Sequence, residues 1–156
     1  MKRIITIIIC LFTMGAVYSQ SSAHIKFMGV EVNGQVSTVE QRLTTKGFSK
    51  TKDDMYKGKF SGYDVKLKLE KTVKSKTVYG VVILFGEDAT REDLTDLANS
   101  LNEKYGTENA FSNNEDGLVG INLPEGSIIL NFEKKTLSYL DKANMQKNKK
   151  ESKEDL

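Results

Sequence analysis

Between residues 63 and 70 the chain alternates without a break, with Tyr63, Val65, Leu67 and Leu69 set against Asp64, Lys66, Lys68 and Glu70. A period of two sends successive side chains to opposite faces, so this segment predicts a strand with one buried and one wet side. Residues 78–85 are apolar on both alternations and predict a strand that lies centrally or is covered on both sides. Three more strands are predicted at 118–123, 127–132 and 136–140. Their connections, Pro124-Glu125-Gly126 and Glu133-Lys134-Lys135, are short enough to demand antiparallel hairpins.

Two segments change the period from two to 3.6. Val36, Val39 and Leu43 share one helical face, and Ser37 stands three residues before Glu40, the spacing of a capping box. Gly47 can take the left-handed conformation that ends a helix, with Phe48 folding back on the last turn. The second helix repeats this grammar, with Thr90 three residues before Asp93, a stripe of Leu94, Leu97, Ala98, Leu101 and Tyr105, and Gly106 at its end. Ahead of both, residues 25–30 predict a short strand closed by a turn at Asn33-Gly34. The order is a strand, a helix and three strands, then a helix and three more strands. This is the α+β class, an antiparallel sheet with two helices packed on one face. The helix ends VEQRLTTKGF and LANSLNEKYG resemble each other, which leaves a duplicated helix-plus-meander unit open beside two independently capped helices.

The ends of the chain read differently. Lys2 and Arg3 precede an apolar run over 4–12, and Gly15, Ala16 and Ser19 supply small residues, so 1–19 predicts a secretory signal peptide cut before Gln20. The apolar stretch is shorter than the roughly 20 residues of a spanning helix, which argues against a membrane anchor. Cys10 sits within the run rather than after it, which argues against lipid modification. Residues 20–143 then form a single α+β domain, and the mixed-charge segment 144–156 has too little apolar surface to predict more than a frayed or helical, flexible tail.

Removing the leader changes the charge. The full chain carries 23 Lys and Arg against 21 Asp and Glu, and loss of Lys2 and Arg3 brings the balance to zero. A neutral chain has no global field to hold nucleic acid, whose binding rests on many phosphate contacts. Loss of Cys10 also removes any disulfide framework, thiol nucleophile or Cys-based metal site. Within this neutral whole, charge is segregated: seven lysines face two acids over 57–76, and nine acids face Arg91 and Lys104 over 87–116. Such segments either solvate their outer faces or form a patch. The candidate binding residues are therefore Lys57, Lys59, Lys66, Lys68 and Lys71, with Lys66 and Lys68 two apart and so on one side of a strand.

Signals for chemistry are weak. His24 is the single histidine, so triads and multi-His metal sites have little to build on. Residues 112–117 place oxygen ligands before a glycine as a calcium loop does, but Leu123 stands where that loop needs its closing Glu, and a polar turn is the better reading. The paired acids Asp53-Asp54, Glu87-Asp88 and Glu92-Asp93 suit turns and helix starts. No catalytic residue, metal site or cofactor is assigned.

The strings IKFMGV (25–30), KGF (46–48), GKFSG (58–62) and LNEKYG (101–106) resemble a group of small exported proteins of uncharacterised function from gram-negative anaerobes. The helix-then-meander layout is also distantly similar to the tandem repeats of β-lactamase inhibitor proteins, which implies a sheet used as a binding surface. The expectation is an exported, periplasmic or secreted, non-catalytic binding module such as an inhibitor, an immunity-like protein or an envelope accessory factor. Its partner would be a protein or an anionic envelope component, with no nucleic acid and no stable membrane anchor after cleavage. The alternative is a carboxylate-dependent hydrolase acting on an envelope polysaccharide.

Overall fold

The structure is a computed structural model that describes residues 23–113 and 116–154. The expected leader with its expected cleavage site, and Cys10, lie outside the described residues. The elements run β1 (Lys26–Phe27), β2 (Val30–Glu31), α1 (Val36–Thr45), β3 (Ser49–Lys50), β4 (Tyr56–Phe60), β5 (Tyr63–Lys71), β6 (Val78–Phe85), α2 (Arg91–Tyr105), β7 (Ala110–Asn113), β8 (Leu118–Leu123), β9 (Gly126–Asn131), β10 (Thr136–Asp141) and α3 (Lys142–Lys153). The fold is α+β with a large antiparallel sheet, as the periodicities require.

Eight strands form that sheet in the order β3-β4-β5-β6-β10-β9-β8-β7. Residues 25–30 are not one strand. Met28 and Gly29 take φ of 50° and 80°, which folds the segment into the separate β1–β2 hairpin.

Register decides which side chains share a face. Ser61 and Gly62, with φ of 50° and 88°, make a two-residue turn of the kind whose twist matches paired strands, and this fixes β4 against β5. Following the pairs across the sheet gives one row of Tyr56, Leu67, Ile83, Leu137, Leu130 and Val119. The first five are at most 3% exposed. Phe27, Val39, Leu43, Phe48 and Leu94 join them in the hydrophobic core. Burying each large apolar side chain contributes about 1.5–3 kcal/mol. Phe27 lies at the centre of an aromatic cluster, 6.0 Å from Phe48, 5.5 Å from Phe60 and 5.4 Å from Tyr139 between ring centroids. Gly58 lacks a side chain for a local reason, since the Phe48 ring occupies the space a Cβ would need.

The helix ends show which local signals won. α2 has its capping box: the Asp93 N–H donates to Thr90 Oγ1 (3.2 Å) and the Thr90 N–H donates to Asp93 Oδ2 (2.7 Å). α1 starts at Val36 after Gln35 and has no side-chain cap, so the box expected from Ser37 and Glu40 does not form. Glu40 instead accepts from Lys50 Nζ at 2.8 Å and from the Tyr56 hydroxyl. At the other end of α1, the Phe48 N–H reaches Leu43 O (3.1 Å) and the Gly47 N–H reaches Thr44 O (3.0 Å), the paired bonds of a Schellman ending.

The segment from 144, read as a frayed or helical tail, is helical as part of α3, and it is docked through polar rather than apolar anchors. The buried Asp141 carboxylate accepts from the Asn144 N–H at 2.9 Å, and the Asn144 side chain donates to Asn33 Oδ1 (2.9 Å) and Val78 O (3.2 Å). Farther along, Glu151 accepts from Ser75 Oγ (2.6 Å), the Ser75 N–H (3.1 Å) and the Lys74 N–H (2.8 Å). These bonds hold its carboxyl down to about 2, the Ser75 hydroxyl contributing most. β7 was also unforeseen: its pairing with β8 takes up Ser112 and Asn113, where a polar turn was expected.

Candidate functional site

The row next to the buried one reads Lys57, Lys66, Leu84, Thr136, Asn131 and Leu118. Strand alternation turns it to the opposite side of the sheet. Lys57 and Lys66 stand directly opposite each other on β4 and β5, and both are exposed. Like charges so placed destabilise a strand pair. Among the described residues neither ammonium has an ion-pair partner. Lys59 faces Asp64 at 3.1 Å and Lys68 holds Glu70 at 2.8 Å. The Glu70 bond raises the Lys68 ammonium above the ordinary lysine value.

The structure thus brings four of the five candidate lysines, Lys57, Lys59, Lys66 and Lys68, to one face. Lys71 does not join them. Five residues from Lys66, it falls on the other alternation of β5, with Val65, Leu67 and Leu69, and its Nζ lies 3.7 Å from Asp54. An open groove of about 1000 Å³ runs over this part of the sheet, lined by Lys57, Lys59, Asp64, Lys66 and Leu84 and by Ser49. Lys46, at the C-terminal end of α1, also lines it.

Sequence reading missed Lys46 and Ser49, and it missed that Lys57 opposes Lys66. The signal for the pairing was present. A two-residue turn at Ser61-Gly62 sets Phe60 against Tyr63, and counting back three residues on each strand sets Lys57 against Lys66.

The other singled-out groups hold structure together. Lys50 bridges Glu40 (2.8 Å) and Asp54 (2.9 Å), and both carboxyls are held below their ordinary range chiefly by that ammonium. The Tyr56 phenol is pushed up, first by burial and then by its bond to Glu40. His24 Nδ1 lies 2.8 Å from Asp141 Oδ2, which ties the start of the described chain to the cap of α3. Asn113 donates to Asp116 at 2.7 Å within the polar loop. Asp54 holds lysines, Asp93 caps α2, and none of the paired acids lines the lysine groove. Among the described residues no cluster of three or more His, Cys, Asp or Glu is placed to hold a metal ion, and no helix is long and apolar enough to cross a membrane.

No family of known proteins, no curated protein and no solved structure matches the chain.

Proposed function

We propose that the chain is an exported, non-catalytic binding module that recognises an anionic partner through the lysine-bearing face of its sheet. The observation that carries this reading is the unpaired Lys57–Lys66 juxtaposition over an open groove. Two like charges facing each other cost stability, and an anion laid across both relieves that cost. Half-buried Leu84 and the lysine stems give the groove an apolar floor and walls, so a partner gains contact area as well as charge. The partner is a carboxylate- or phosphate-bearing protein or envelope surface, met in the periplasm or outside the cell.

The same proposal includes the architecture. α1 with β3–β6 and α2 with β7–β10 are read as a repeated helix-plus-four-strand unit, with both helices over one face and the final strands, β6 and β10, meeting at the centre. The likeness in layout to β-lactamase inhibitor protein repeats and the resemblance to small exported proteins support this reading. A carboxylate hydrolase would instead need two acids about 5–9.5 Å apart across a cleft. The acids adjacent in sequence lie instead in turns, the α2 cap and lysine bridges, and none of them lines the lysine groove.

Binding of labelled poly-L-glutamate tests the proposal. The parent should bind at low salt and release as ionic strength rises, because exposed charges are screened over about 8 Å at physiological salt. The Lys57→Glu, Lys66→Glu double variant should lose that binding. Equal binding by parent and variant would overturn the assignment of this face.

A further inference from the structure

We propose that a cleft beneath α2, independent of the lysine face, is a binding site for an uncharged apolar small molecule. α1 and α2 meet the sheet differently. Val39 and Leu43 of α1 are fully enclosed, whereas in α2 only Leu94 is buried and Leu97, Ala98, Leu101 and Tyr105 are left partly buried. The incomplete packing has a definite volume. Between the second half of α2 and strands β7–β9 lies a cleft of about 390 Å³. Small-molecule sites start at about 300 Å³, and an apolar cavity of about 150 Å³ already admits benzene.

The lining sets the ligand class. Ala98, Leu101, Val119, Ile121, Leu130 and Phe132 form apolar walls, and no charged side chain lines the cleft. Thr95, Asn99, Asn102 and Ser112 supply hydroxyl and amide groups that suit a neutral polar substituent. α2 carries Glu92, Asp93, Asp96 and Glu103 against Arg91 and Lys104, a net negative field that disfavours a carboxylate or phosphate at the mouth. Arg91 is engaged over the Phe132 ring, 5.3 Å from its centroid. The ligand is therefore a neutral aliphatic or aromatic compound. The cleft is kept open by small residues, since Ala98 on α2 and Ala110 on β7 stand where a larger side chain would fill it.

The test uses N-phenyl-1-naphthylamine, a neutral fluorophore that brightens on leaving water, and a sulfonated naphthylamine as its anionic counterpart. The parent should take up the neutral probe saturably and bind the sulfonated one at least tenfold more weakly. Ala98→Leu fills the cleft from the helix, and Ser112→Phe fills it from an exposed edge-strand position where folding is not at stake. Loss of at least tenfold in affinity in either folded variant, with backbone amide shifts centred on Ala98, Leu101 and Val119, supports the site. Absence of saturable uptake by the parent, equal or tighter binding of the sulfonated probe, unchanged affinity in both variants, or shifts centred on residues 57–66 would each overturn it.

Discussion

The two faces of the sheet are written by the same strands and ask opposite things of the sequence. Across one face, Tyr56, Leu67, Ile83, Leu137 and Leu130 line up strand after strand and are almost wholly removed from water. One residue along each strand, the row becomes Lys57, Lys66, Leu84, Thr136 and Asn131, exposed or half-buried. The buried row explains why the chain folds. The other row contains two opposed lysines that folding does not need and that stability disfavours. Such a division separates the residues whose loss unfolds the protein from those that carry the proposed binding.

Substitutions on the buried row should have the largest effect on stability. Leu67→Ala removes packed methyl groups beside Tyr56 and Ile83 and should cost about 2–5 kcal/mol in denaturant unfolding. The folded fraction should still bind polyanion as the parent does. A similar loss of binding per folded molecule would mean that the faces are not independent. Gly58→Ala is the next largest, because its new methyl group meets the Phe48 ring, and overpacking of this kind costs about 1–3 kcal/mol.

Smaller again is the acid response of α3. Because Glu151 is held at about 2 in the folded chain, its contribution is present above the ordinary glutamate value of about 4.3 and is lost as pH falls through about 2. Glu151→Gln should flatten that part of the pH profile, read as the difference between parent and variant melts at neutral pH and at pH near the folded value. Identical profiles would detach Glu151 from the docking of the helix.

Much of this comparison was legible in the sequence, and the exceptions have physical reasons. The alternation of residues 63–70 specified a buried and a wet face because period and burial are the same fact in a half-exposed strand. The Thr90–Asp93 box and the Gly47-Phe48 ending formed as written, being local. The Ser37–Glu40 box failed because Glu40 found stronger donors in Lys50 and Tyr56, which only the tertiary fold brings near. The docking of α3 was hidden because Asp141, Asn144 and Glu151 anchor it through hydrogen bonds, and a count of apolar residues is blind to those. On the lysine face the alternation placed Lys66 and Lys68 together, and the same period of two already set Lys71 on the other side with Leu67 and Leu69, so its exclusion was legible without the structure.

The smallest expected change in stability carries the sharpest test of function. Lys66→Glu replaces a like-charge pair with an opposite-charge pair across β4 and β5, which should leave stability unchanged or raise it by about 0.2–1 kcal/mol. A recognition surface and a merely solvated face give different binding outcomes for this one variant. Poly-L-glutamate titrated at low salt against parent and Lys66→Glu, alongside denaturant melts of both, measures the two quantities together. The lysine face as a binding site requires at least a tenfold loss of affinity in a variant no less stable than the parent; undiminished affinity in an equally stable variant would contradict it.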